Sequence, residues 1–121
     1  MQQAQQFMDY VAAYPTPYIR YHASDMILNI DSDVAYLVAP KSRCRVAGCY
    51  HLTNNPLPPL LNGAIHVECK TLRHVISSAA ESEVGGVFHK AQIAIPIRTL
   101  LHTLSHPQPP TPIKTDNPTA Y

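Results

Sequence analysis

The spacing of apolar and polar residues changes period three times along this chain. Gln2 to Tyr14 reads as a short helix with Phe7, Met8, Tyr10 and Val11 as its apolar contacts, closed by Pro15 and Pro17. In "YIRYHASDMILNIDSD" the period becomes two. Leu28, Ile30, Ser32 and Val34 share one strand face, and Ile27, Asn29, Asp31 and Asp33 share the other. Pro40 ends that strand or its exit loop. "RCRVAGCYHL", Arg43 to Leu52, reads as a second strand. "TNNPLPPLLNG" reads as a hairpin connection, and "AIHVECK" as a third strand with Ile65, Val67 and Cys69 on one face. From Ser78 to about Leu104 the period is helical. Val84, Val87, Phe88, Ala91, Ile95, Leu101 and Leu104 form the expected stripe, with a kink or break at Pro96. "SHPQPPTP" stops the helix, and "IKTD" is a short fourth strand. The predicted order is α-β-β-β-α-β, an α/β (α+β) domain.

Composition narrows the class. The chain has 121 residues, 45% apolar and 14% charged, which suits one small globular domain rather than a disordered chain. A net charge of +1 gives no strong whole-molecule attraction to nucleic acid. Three cysteines, without the spacing of a disulfide framework, suit a reducing compartment, cytoplasmic or nuclear rather than secreted. No apolar run approaches the ~20 residues that span a bilayer, so no membrane partner is expected. The N-terminus lacks the regions of a signal peptide.

The acidic residues gather in three places: Asp31 and Asp33 on the first strand, Glu81 and Glu83 at the helix start, and Asp116 after the fourth strand. Two readings stand side by side. Hard divalent cations take several carboxylate oxygens converging from separate elements, whereas isolated carboxylates serve as caps and turn residues. Local physics separates the two glutamates. Ser78-Ala-Ala-Glu81 has the form of a capping box, with Ser78 accepting from residue 81 and Glu81 reaching back to the N–H of residue 78. Glu83 lies about 200° further round the helix and has no capping role. Gly85 and Gly86 follow it. Each costs about 1 kcal/mol in a helix relative to alanine, which points to close approach of this turn to the sheet.

These residues carry a family resemblance over roughly residues 20 to 121. "HASDMILNIDSDVAYLVAPKSRCRVAGCYHL", "SSAAESEVGGVF" and "PPTPIKTDNPTA" resemble, in colinear order, the ribonuclease H-type region of copia-like LTR retrotransposon polyproteins, which follows the reverse transcriptase. The resemblance implies a ribonuclease H-like mixed sheet flanked by helices. It implies an Asp-Glu-Asp-Asp set holding two Mg²⁺ ions that cut the RNA strand of an RNA–DNA hybrid. Asp33 takes the place of the first aspartate, Glu83 of the glutamate and Asp116 of the second aspartate. Asp31 has no counterpart role. The family's fifth strand and its fourth carboxylate would lie beyond Tyr121, so a truncated domain of reduced or absent activity is expected. Residues 1–20 resemble a helical connection segment, with 21–121 as the partial domain. The reverse transcriptase region of the same polyprotein is a partner by the same resemblance. The alternative is a catalytically inactive remnant that binds nucleic acid or protein, or has no function.

Two further sets complete the reading. Lys41, Arg43 and Arg45 alternate, which puts all three on one strand face, either as phosphate contacts or as a solvated charged surface. Cys44, Cys49, His51, His66, Cys69 and His74 have incomplete zinc-site spacings, and Cys69 is expected buried beside Ile65 and Val67. Zinc is therefore not expected as a cofactor, and a zinc-dependent binding module is the weakest of three readings.

Overall fold

A computed structural model describes residues 2–54 and 62–116. The elements in chain order are α1 (Gln2–Ala13), β1 (Ile27–Ala39), β2 (Arg43–Thr53), β3 (Ala64–Thr71), α2 (Ala79–Thr103) and β4 (Ile113–Thr115). The fold is mixed α/β, with a four-stranded mixed sheet and two helices. In space the strands run β3-β2-β1-β4, so the last strand sits beside the first. β1–β2 and β2–β3 are antiparallel, and β4 pairs parallel to β1 with Ser32 opposite Thr115. Most of the connection "TNNPLPPLLNG" and the stretch after Asp116 lie outside the described residues. Among the described residues no helix is long and apolar enough to cross a membrane.

The alternation on β1 holds. Leu28, Ile30, Ser32 and Val34 face α2 and are buried. One apolar cluster joins Leu28, Ile30, Tyr50 and Leu52 to Ala94 and Leu101 of α2. A second joins Val34, Cys44 and Val46 to Ile76 in the lead-in to α2.

Three expectations are corrected. First, α1 buries none of its residues, and Phe7, Met8, Tyr10 and Val11 are exposed. Second, the helical stripe is wrong in phase. The buried side of α2 carries Ser82, Glu83, Gly86, Lys90, Ala94 and Leu101, while Val84, Phe88, Ile95 and Leu104 face outward. Small residues decide this, because they let the helix close on the sheet, and bulky ones on that side would hold it away. Third, Ile65, Val67 and Cys69 do share a face of β3, but it is the exposed one. Glu68 points inward instead.

Pro96 does not break α2, which runs continuously to Thr103. Both Pro96 and Gln92, whose carbonyl loses its donor, are exposed, so water replaces the missing bond. The helix ends in a Schellman motif. His106 N–H donates to the Leu101 carbonyl at 2.9 Å and Ser105 N–H to that of His102 at 3.0 Å. Ser105 takes the left-handed position with φ of 67°. A side chain there costs about 1 kcal/mol relative to glycine. Ser105→Gly is therefore expected to raise stability by about that much, read as a higher denaturant midpoint.

Arg98 and Gln108 then fix the approach to β4. The Arg98 guanidinium donates to the carbonyls of Gln108 and Pro109 and to Thr111 Oγ1. The Gln108 amide donates to the Met26 carbonyl at 2.8 Å and accepts from Leu28 N–H at 3.0 Å. These bonds hold the segment against the start of β1, which places Thr115 and Asp116 beside the first strand.

Candidate metal centre and a buried charge network

Glu83 is the hub of the carboxylate site. It is only 6% exposed on the inner side of α2. Its Oε2 accepts from Thr115 Oγ1 at 3.1 Å, tying the start of α2 to the end of β4. Burial pushes its carboxyl pKa up, the Thr115 hydroxyl works against that, and the charges of Asp116 and Asp33 push it up further. The three residues that the resemblance picks thus sense one another, while Asp33 and Asp116 remain exposed.

Their convergence is incomplete. Among the described residues no three His, Cys, Asp or Glu side chains are close enough to hold one ion. By alternation Asp33 projects from the face opposite Ser32 and Val34, whereas Glu83 comes from the α2 side. In kind the donors fit a hard cation such as Mg²⁺. Ser32 Oγ, in register with Thr115, is buried with no hydrogen-bond partner among the described residues, so the polar surroundings extend beyond the carboxylates.

Only one of the two glycines explains the approach of Glu83. A Cβ on Gly86 would lie 2.5 Å from Val34 Cγ2, inside the second apolar cluster, whereas one on Gly85 would make ordinary contacts at 3.8 Å. Gly86→Ala is expected to cost about 1–3 kcal/mol by overpacking. Gly85→Ala should be neutral or stabilising by up to about 1 kcal/mol through helix propensity. Thermal melts of the two variants check the contrast.

Ser78 is the N-cap, accepting from Glu81 N–H at 3.1 Å. The return contact is displaced by one residue from expectation. Glu81 Oε2 accepts from Ser77 N–H at 2.9 Å and Ser77 Oγ at 2.6 Å. Those bonds, the hydroxyl foremost, hold the Glu81 pKa below the usual range. Glu81 is thus engaged in the helix start.

The basic trio divides. Arg43 and Arg45 share a strand face on β2, but Lys41 sits in the β1–β2 turn with φ of 63°, off the alternation. Arg45 pairs with Ala35, two residues beyond Asp33 toward that turn. Asp31 Oδ2 lies 3.6 Å from Nδ1 of buried His51. Burial and the Asp31 charge push the neighbouring Cys49 thiol up in pKa. Cys44 and Cys49 are five apart on one strand, hence on opposite faces, and Cys69 is exposed rather than buried. His66 stacks against Tyr50 at 5.1 Å.

A second polar cluster escaped the sequence reading. Glu68 Oε1 accepts from Tyr50 Oη at 2.9 Å and lies 3.1 Å from Lys90 Nζ, while its Oε2 lies 3.2 Å from His89 Nε2. Lys90 is fully buried. Its contact with Glu68 is an ion pair by distance, although by angle Nζ makes no hydrogen bond. Burial alone would raise the Glu68 pKa; the Tyr50 and Lys90 donors and the Lys90 and His89 charges reverse this and lower it. Burial, with Glu68 as acceptor and as a nearby charge, raises that of Tyr50. A Cβ on Gly48 would lie 2.4 Å from Lys90 Cε, so this glycine makes room for the lysine stem. The available signal was a glycine in mid-strand together with Lys90 four residues after Gly86 on one helical side.

Comparison of the chain with protein-family models, with curated proteins and with solved structures finds no match.

Proposed function

We propose that Asp33, Glu83 and Asp116 hold divalent cations in a Mg²⁺-dependent ribonuclease H-type domain of retrotransposon origin, acting on the RNA strand of RNA–DNA hybrids. One observation carries the reading. Glu83, seated at the sheet through Thr115, responds to the charges of both aspartates from two other elements. Clustered carboxylates repel one another, and a cation relieves that repulsion. When bound, Mg²⁺ would supply Lewis-acid polarisation and a more acidic water for in-line phosphodiester hydrolysis. The residues' own part is to hold oxygen donors on α2, β1 and the end of β4. Arg43 and Arg45, with Lys41 at the turn, would meet phosphates on the arm that carries Asp33. The reverse transcriptase region of the same polyprotein remains the protein partner on this reading.

The test is incubation of the 121-residue chain with a labelled hybrid in Mg²⁺. Cleavage by the wild type and none by Asp33→Ala, with unchanged circular dichroism, is the expected result. Equal cleavage by both would sink the assignment. The second reading, a hybrid-binding remnant without catalysis, is favoured by one observation: Thr115 already donates to Glu83, whose burial favours the neutral acid. Retained hybrid binding without cleavage in any divalent cation would select it.

A further inference from the structure

Two unpartnered apolar surfaces on this chain match each other. In α1, Phe7, Tyr10, Val11 and Tyr14 fall within an arc of about 100°. All four are exposed, three of them by more than half. The helix bond from Tyr14 N–H to the Tyr10 carbonyl, 2.9 Å, carries the stripe to its end. A helix of 12 residues is marginal in water by itself and ordinarily draws its stability from burying such a face. Spacings of three, four and seven are those of a helix that lies in a groove.

The second surface is a groove of about 930 Å³ between the segment after β3 and the outer side of α2. Its floor includes Leu72, Val75, Val84 and Phe88, and its rim carries Lys70 and Arg73. Val75 is 76% exposed and Phe88 63%, a large outlay of apolar surface for so small a domain. The only formal charge in α1 is Asp9, opposite in sign to that rim.

Chain reach decides whose α1 fills the groove. Tyr21 Oη donates to the Ala64 carbonyl at 2.9 Å and His22 N–H to Asn62 Oδ1 at 2.8 Å, which pins this segment at the start of β3. The groove opens at the other end of that strand, about 23 Å away at ~3.3 Å per residue. Tyr14 to Tyr21 spans at most roughly 25 Å fully extended. A helix on that tether reaches the rim with no slack to enter. A second molecule has no such restriction. We propose that α1 of one copy docks in the groove of a second copy, and that the exchange is reciprocal, giving a two-fold dimer. This inference is independent of the carboxylate site.

Sedimentation equilibrium of the full chain and two variants tests it. Phe7→Asp with Val11→Asp spoils the helix, and Val84→Asp with Phe88→Asp spoils the groove. All four residues are exposed, so far-UV circular dichroism should be retained; if the groove variant does not fold, Phe88→Ser replaces it. The wild type is expected at twice the monomer mass and each variant alone at the monomer mass. An equimolar mixture of the two variants should recover dimer, because one intact helix meets one intact groove. A monomeric wild type at all concentrations would overturn the proposal. So would a dimeric wild type whose variant mixture stays monomeric, since the helix would then dock elsewhere.

Discussion

Lys90→Met is expected to destabilise the domain by about 3–5 kcal/mol, the usual cost of removing one partner of a buried ion pair. The lysine is fully buried across Gly48, and its ammonium is the nearest cation to a carboxylate that is itself 7% exposed. Without it Glu68 keeps the Tyr50 hydroxyl and the His89 ring but loses its full countercharge. The charge, not the lysine stem, is the cause, because methionine fills a similar space. Lys90→Met combined with Glu68→Gln should therefore recover most of the loss, as Gln retains an acceptor for Tyr50. Urea denaturation of the two single variants and the double variant measures the coupling. Additive losses would show that packing, rather than charge, holds this part of the sheet. The pH dependence has a defined sign. The Glu68 pKa is lowered on folding, so its contribution is present above the ordinary carboxyl value of 4.5 and fades as pH falls through the lower folded value.

Glu83→Gln is expected to act in opposite directions on stability and on activity. Burial, foremost, raises the Glu83 pKa. The folded state holds its proton more tightly than the unfolded one, so its favourable contribution is complete below the ordinary value and is lost as pH rises through the raised folded value. At neutral pH the charged carboxylate opposes folding. Glutamine removes the charge and keeps an acceptor for Thr115, so the melting temperature at pH 7 should rise, with little change near pH 4. Hybrid cleavage should fall by about a thousandfold or more, because a metal ion's stabilisation is worth several kcal/mol and each ~1.4 kcal/mol is tenfold. A variant that is both less stable and fully active would contradict both arms.

The strands were legible where alternation and burial agree. On β1 the inward set Leu28, Ile30, Ser32 and Val34 can be read from period two alone. On β3 the same period was visible, but which face was inward depended on Glu68, Lys90 and Gly48, three residues far apart in sequence. The phase of α2 failed for a related reason. Hydropathy selects Val84, Phe88 and Ile95, whereas the sheet accepts Gly86, Ala94 and the lysine stem, because close approach requires small side chains there. The separation of Glu81 from Glu83 was legible because capping is local: Ser78 and Glu81 act within one turn. The approach of Asp33 to Glu83 was not, since it depends on how β1 and α2 meet.

The central claim is that Asp33, Glu83 and Asp116 act together on a divalent cation. Calorimetric titration of Mg²⁺ into the wild-type chain at pH 7, alongside Asp33→Asn, Glu83→Gln and Asp116→Asn, tests it most directly. The account predicts saturable uptake by the wild type and at least tenfold weaker uptake by each of the three variants. No saturable uptake by the wild type, or equal affinity in all four proteins, would contradict it.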